Sequence, residues 1–478
     1  MKRAVAVALL ASCLALPAFA QDATTAAQLK KQIAAAALRS AAGRGNAAAQ
    51  TLLGFKYARG DGVAQDDVQA VDWYRKAAEK GYAAAQNNLG VMYRKGRGVA
   101  PDAAEAVRWY RKAADQGYPP AQYALGTMYK QGEGVPKDDA QANAWYGKAF
   151  SALRKAAGRG DTDAQYALGV MYENGEGAAR DDAQAISWYR KAAEKGYAAA
   201  QNNLGAMYEK GQGIAKDDAQ ALALYRKAAD QGDAEALRNV GHMYAMGRGV
   251  TKDDAQAFEW YRKAAERGLA SAQYSVGARY SYGVGVSRDK AQALYWYRKA
   301  ADQGNAAAQV ELGMMYKDGG GVVQDYAQAI AWYRKAADQG HAIAQNNLGL
   351  IYAKGLGVAQ DYAQAVNWFR KSAEQGNAYA QVRLGGMYEV GQGVAQDYAE
   401  ALVWYRKAAD RGDDYGQANL GRMYAKGLGV PQDDAQAEAW YRKAAAQGNP
   451  PAQRVLREME GTGLTVNSKR SQQNVGKD

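Results

Sequence analysis

The chain is nearly devoid of the residues on which most catalysis and most covalent stapling rely. Among 478 residues there is one cysteine, Cys13, and there are two histidines, His242 and His341. A single thiol closes no disulfide within the chain, and two remote histidines complete neither a zinc site nor the usual His- or Cys-based catalytic machinery. No cofactor and no metal are therefore expected. Proline occurs only 8 times, and past the N-terminus no apolar run approaches the roughly 20 residues of a membrane-spanning helix. Acidic tails are missing as well, since 61 Lys and Arg outnumber 49 Asp and Glu, for a formal charge of +12 and a pI of about 9.3.

What is present begins with an address. Lys2 and Arg3 precede an apolar run from Ala4 to Leu16, then Pro17 and the small-residue triplet Ala18-Phe19-Ala20. This pattern predicts a cleavable secretory signal over residues 1–20 and an exported, periplasmic protein after cleavage near Ala20. Removal of Lys2 and Arg3 lowers the charge from +12 to +10. The alternative is a lipobox at Leu10-Ala11-Ser12-Cys13 that would anchor the chain through Cys13. The apolar stretch Leu14 to Ala20 is an awkward start for such a lipoprotein.

Self-similarity dominates the rest. The ten tryptophans fall at 73, 109, 145, 188, 260, 296, 332, 368, 404 and 440, a period of 36 broken by one step of 43 and by Leu224 in a tryptophan position. Eleven units result over 46–448, with a seven-residue insertion within about 147–158. Seven residues are about two helical turns, so the insertion lengthens a helix without rotating its buried face.

Each unit reads as two helices, which makes the fold all-α. In 102–117, Ala106, Trp109, Tyr110, Ala113 and Ala114 form one stripe, which leaves the recurring Arg-Lys pair (Arg111, Lys112) on a solvated face. Asp102 and Glu105 fit a capping box, and Asp-x-x-Gln/Glu recurs from Asp66/Gln69 to Asp433/Gln436. Gly117 is placed to close the helix. In 82–94, Ala85, Leu89, Gly90, Met92 and Tyr93 share a face. A glycine in mid-helix costs about 1 kcal/mol relative to alanine, so its recurrence predicts a neighbouring helix pressed against bare backbone. The linking Gly-x-Gly-Val-x-x-Asp, as in Gly96 to Asp102, lacks the endings of dinucleotide and P-loop fingerprints and reads as structural, with Val99 filling the gap between helices.

A unit with two apolar flanks needs neighbours, so the units stack as a solenoid. Residues 21–45 supply an N-terminal capping helix, a lone second helix with Leu38 in the tyrosine position. Residues 449–461 supply a C-terminal one, with Arg457 replacing the mid-helix glycine. Polar, aperiodic 462–478 reads as a disordered tail.

Ala-x-x-Leu-Gly-x-Met-Tyr, Gly-x-Gly-Val-x-x-Asp and Ala-x-x-Trp-Tyr-Arg-Lys-Ala-Ala, repeated over about 46–461, resemble the Sel-one-like repeat, a relative of the tetratricopeptide repeat. The resemblance implies a right-handed α/α superhelix whose first helices line a concave groove, and secreted bacterial members acting as adaptors or regulators through protein binding. Cysteine-rich members linked to penicillin binding are a poor guide here, because the mature chain has no cysteine.

If the fixed columns are core, recognition falls to variable positions of the first helices. These are Phe55, Asn87, Asn88, Tyr123, Tyr166, Asn202, Asn203, Asn239, His242, Met246, Tyr274, Tyr282, Met314, Asn346, Asn347, Leu350, Arg383, Asn419 and Arg422. Asparagine amides can hold an extended peptide backbone, while Tyr, Phe and Met offer adaptable apolar contact. The expected function is a non-enzymatic scaffold or adaptor that binds a protein or peptide and positions or regulates it, itself monomeric or weakly self-associating. An alternative is binding of anionic envelope glycan or lipid headgroups, although 10 Arg and 11 Lys of the charge belong to the Arg-Lys column. Nucleic acid is not expected, for want of a reading module. A β-lactam-interacting hydrolase would rest on Ser287 and Lys290 alone, whose partner motifs are missing. Arg-Gly-Asp at 59–61, 159–161 and 411–413 reads as turn and capping chemistry.

Overall fold

The computed structural model describes residues 36–461, and the regular structure among them is entirely helical. The signal segment, residues 21–35 and the tail lie outside the described residues. The chain divides into two compact units, Met1–Ala228 and Ala229–Asp478, and the same construction is found within each.

Repeat 2 shows the local logic. Its first helix, Ala83–Lys95, and its second, Ala103–Asp115, are joined by the loop 96–102. Asp102 starts the second helix, its carboxylate accepting from the Glu105 amide at 2.8 Å. The Asp102 N–H, which a capping box would give to the side chain three residues on, donates instead to the Tyr93 carbonyl at 3.0 Å. Both bonds recur at the other ten caps, from Asp66 to Asp433. So the cap fastens a helix start to the preceding helix as well as to itself. Gly96, at φ +63°, ends the first helix, and Gly98 (φ +67°) passes so close to repeat 1 that a Cβ there would lie 2.2 Å from the Asp67 carbonyl oxygen.

The mid-helix glycine meets the tyrosine of the Trp-Tyr-Arg-Lys run. A Cβ on Gly90 would stand 2.8 Å from Tyr110 Cε1 and 3.2 Å from the Ala106 carbonyl oxygen. The same pairing holds in all eleven repeats, with Phe369 in the tyrosine's place against Gly349. These rings, not the indoles, are the most deeply buried aromatics, Tyr110 being 1 % exposed.

The core lies between repeats. Ala70, Val71, Tyr74, Ala77 and Ala78 of the first repeat's second helix pack on Ala85, Leu89 and Met92 of the next first helix, with Val99 and Trp109 sealing the cluster. Each indole thus reaches back onto the layer before it, as Trp145 and Trp368 also do. Trp296, Trp332 and Trp404 are buried and the other seven are half-buried. Removing on the order of 100 Å² of indole from water contributes roughly 2–3 kcal/mol per junction.

The Arg-Lys column is exposed, but it does not idle in solvent as the periodicity suggests. All ten indoles carry the lysine three residues on over the ring, at 3.9 to 5.3 Å from the centroid. In at least six repeats the arginine donates to a tyrosine hydroxyl of the next repeat, as Arg75 does to Tyr93 at 3.4 Å and Arg334 to Tyr352 at 2.6 Å, whereas Arg262 pairs with Glu259 and Glu266. A buried glutamine adds a third link, Gln86 donating to the Ala78 carbonyl at 3.0 Å. Gln50 makes the same bond to Ala42 in the N-terminal cap, helical over 36–43, and Gln453 carries it into the C-terminal cap, Pro450–Gly461.

One junction differs. The second helix of repeat 3, Asp139–Gly158, has 20 residues against 13 for the others. Gly98, Gly134 and Gly213 abut the first residue of the preceding second helix, whereas Gly177 abuts Tyr146, seven residues in. Repeat 4 is therefore seated about 10 Å further along that helix, at 1.5 Å per residue.

Candidate functional site

The displaced seat of repeat 4 opens a cavity of about 320 Å³ between the first helices of repeats 3 and 4, Pro119–Gln131 and Thr162–Asn174. Pro119, Pro120 and Tyr123 form one wall, Tyr166, Ala167, Val170 and Met171 the other, and Leu153 of the long helix lies between them. Its surface is almost wholly apolar, and the Tyr123 hydroxyl is engaged outside the lining. Tyr123 donates to Glu176 Oε2 at 2.6 Å, and Glu176 also accepts from Lys130 Nζ at 3.3 Å and Asn174 at 3.4 Å. Burial, and then the Glu176 carboxylate, raise the Tyr123 phenol. Tyr166 is fixed by its neighbours, its ring 5.1 Å from Tyr197 and 5.9 Å from Tyr189. A pocket of this size with rigid aromatic walls takes one large apolar side chain or a small apolar ligand.

The rest of the first-helix face is underpinned by the tyrosines beneath the glycines. In repeats 4, 5 and 10 their hydroxyls reach glutamates of the first helix, Tyr189 donating to Glu173 at 2.7 Å, Tyr225 to Glu209 at 2.8 Å and Tyr405 to Glu389 at 2.8 Å. Glu389 is also clamped by Arg422, whose Nη2 donates at 2.6 Å. Burial alone would raise the Glu389 carboxyl, but hydrogen bonds from Arg422 and Tyr405 prevail and hold it below its usual range.

Of the residues proposed from sequence, the structure brings Tyr123 and Tyr166 together at the cavity. Asn87 donates to Asn88 at 3.3 Å, Asn202 to Asn203 at 3.4 Å, and Asn203 to the Tyr189 hydroxyl at 3.3 Å. Asn346 is buried and accepts from Arg383 at 3.3 Å, and Asn419 accepts from Arg422 at 3.2 Å. Tyr274, Met314 and Leu350 pack against core clusters. Phe55, Met246 and Tyr282 are exposed, the Phe55 ring under the Arg59 guanidinium at 4.8 Å, while Asn239, His242 and Asn347 are half-buried. Sequence reasoning passed over Leu153 and Val170, which line the cavity, and Glu176, which orients Tyr123. The seven-residue insertion was the available signal for all three.

The motifs set aside from sequence sit where turn chemistry puts them. Ser287 lies in an exposed loop and Lys290 is the exposed first residue of the helix that follows. Asp161 and Asp413 of two Arg-Gly-Asp triplets are helix caps. Among the described residues no group of three or more His, Cys, Asp or Glu is placed to hold a metal ion, and no helix is long and apolar enough to cross a membrane.

Comparison with known proteins agrees with this construction. The model of the Sel1 repeat matches eleven times in succession, at 47–82, 83–118, 119–152, 162–197, 198–233, 234–269, 270–305, 306–341, 342–377, 378–413 and 414–449, skipping within that span only 153–161, the end of the long helix and the turn after it. A crystal structure of a protective antigen present in uropathogenic Escherichia coli strains, displaying an SLR fold, is 40 % identical, with 91 % of each chain covered and a TM-score of 0.60. A Sel1 repeat protein from Oxalobacter formigenes is 36 % identical over 65 % of this chain and 90 % of its own, with a TM-score of 0.53. Among curated proteins none matches. Eleven consecutive repeats, each with its capped second helix and its glycine against a buried ring, show that the chain belongs to the Sel1 repeat family.

Proposed function

We propose that the chain is a non-catalytic scaffold that binds a protein or peptide along its first-helix face, with the cavity at repeats 3 and 4 as the anchor point. The cavity carries the reading. It is apolar, its aromatic walls are held by hydrogen bonds and ring contacts, and it exists because one helix is longer than the others. Preformed apolar pockets of this kind take the buried anchor residue of a partner. Export through residues 1–20 belongs to the same proposal. The relative described as a protective antigen supports it, since such a role requires that the immune system reach the protein.

The cavity can be filled from Ala167, a half-buried residue outside the core clusters. Ala167→Trp places an indole in it, and the full chain carrying that change should keep its circular dichroism and melting temperature while losing about tenfold or more in affinity for a partner captured by the wild type from envelope extract. Equal capture by both proteins, or no specific capture by either, would overturn the proposal. The polyanion reading draws on the basic charge, but ten of the lysines are already stacked on indoles, so weak salt dependence is expected.

A further inference from the structure

Several acids of the first helices and the loops that follow them are already satisfied among the described residues. Glu133 is paired with Arg94 at 2.8 Å, Glu176 with Lys130 and Glu389 with Arg422, while Glu173 and Glu209 accept tyrosine hydroxyls. Glu311, on the helix Ala306–Asp318 of repeat 8, is half-buried and has neither an ion pair nor a hydrogen bond among the described residues. Burial is the sole influence on its carboxyl, which is raised, and no cation answers it.

Its surroundings are aromatic. Tyr274 and Tyr297 lie with ring centroids 5.8 Å apart, and Glu311 stands close enough to raise the ionisation of both, next after burial. Met314, one turn along from Glu311, faces the same side. Independently of the carboxylate, the buried hydroxyls of Tyr297 and Tyr333 make no close hydrogen bond among the described residues, the nearest side-chain candidates being Ser281 and Asn347. In repeats 4, 5 and 10 the corresponding hydroxyl donates to a glutamate of its own repeat. A half-desolvated anion beside unmet hydroxyls is an unfavourable arrangement in the free chain, and a cation brought from outside relieves it.

We propose that this place binds an arginine side chain of a partner protein, the guanidinium paired with Glu311 and its stem lying on Tyr274 and Met314. The proposal rests on the protein-binding reading above and names the chemistry of one contact within it. A guanidinium suits the site better than an ammonium, because its planar fork offers five donors and stacks on aromatic faces. A metal ion is poorly served, since Asp318, the other carboxylate on that helix, is seven residues or about 10 Å away.

The test uses the full chain, immobilised and exposed to a display library of random twelve-residue peptides. Selected peptides should be enriched in arginine. Replacing that arginine by citrulline, which keeps the shape and removes the charge, should weaken binding about tenfold to the wild type and no more than about twofold to Glu311→Gln. Glu311→Gln should stay folded by circular dichroism, and Tyr274→Ala should reproduce part of the loss. Peptides selected without a basic residue, or a citrulline penalty equal in both proteins, would refute the arginine site while leaving the scaffold reading intact. A library that yields no binding peptide would count against the scaffold reading itself and the arginine site with it.

Discussion

Alanine is the better helix former, yet Gly90→Ala should destabilise the protein. The substitution gains about 1 kcal/mol in helix propensity if nothing else changes. The new methyl, however, would lie 2.8 and 2.9 Å from Tyr110 Cε1 and Cδ1 and 3.2 Å from the Ala106 carbonyl oxygen. Tyr110 is enclosed by its cluster and the oxygen is backbone, so neither yields cheaply, and overpacking of this kind costs about 1–3 kcal/mol. The expected net is a loss of about 1 kcal/mol, read from urea denaturation followed by circular dichroism. Where unfolding of the repeat array departs from two-state behaviour, the ranking of midpoints serves instead. The sharper measurement is the double mutant. With Tyr110→Leu as background the obstruction is gone and Gly90→Ala should turn stabilising, a reversal of sign with a coupling of about 2 kcal/mol. Tyr110→Phe should not rescue, because the clash is with ring carbons and a phenyl ring already occupies the position in repeat 9, with Cδ1 2.5 Å from the Gly349 Cβ position. Stabilisation by Gly90→Ala in the wild-type background would refute the reasoning.

Other expectations follow from the same contacts. Asp102→Ala removes a cap and should cost about 1 kcal/mol, whereas Asp102→Asn should cost a few tenths, measured by thermal denaturation. Glu389 is held below its ordinary value near 4.5, so its ion pair stabilises the fold above that pH and the contribution disappears as pH falls through the lower folded value. Glu389→Gln should therefore be less stable than wild type by about 1–2 kcal/mol at pH 7, with the gap closing as an acid titration passes below the ordinary carboxylate range. Glu311 is raised, which carries the opposite sign: its ionisation opposes folding as pH rises past the ordinary carboxylate range, and Glu311→Gln should melt higher than wild type at pH 7 and alike at low pH. Lys112→Gln uncovers Trp109, whose quenching by acrylamide should increase while stability changes by less than about 1 kcal/mol.

Most of the fold was legible because its signals are periodic. The neighbouring helix pressed on the mid-helix glycine, the aspartate caps and the all-α pairing each follow from one residue recurring at one phase, whereas the ring that makes the glycine contact came only from the structure. Periodicity was silent on the Arg-Lys column. A helical wheel shows that Arg111 and Lys112 face away from the stripe, but it holds no neighbouring repeat whose tyrosine hydroxyl the arginine meets, nor the indole one turn back that the lysine covers. Gln86 was overlooked for a related reason, since a polar residue in an apolar helix start reads as surface until the carbonyl of Ala78 is seen beside it. Among the candidate site residues, Tyr123 and Tyr166 could be named from sequence but not joined. They meet through a two-turn displacement that the insertion produces, whose outcome depends on where repeat 4 comes to rest. Glu311 was invisible because its interest lies in what surrounds it.

Within each compact unit most junctions draw on one recurring set of links, glutamine to carbonyl, arginine to phenol and lysine over indole. Repeats joined in this way are interchangeable parts. Where the links are shared, the gain or loss of a copy in register leaves no mismatched seam. The elongated helix of repeat 3 is the part that does not exchange. Where it falls in the series fixes the position of the pocket along the chain, and a change in copy number on either side of it alters what flanks that pocket without altering the pocket itself.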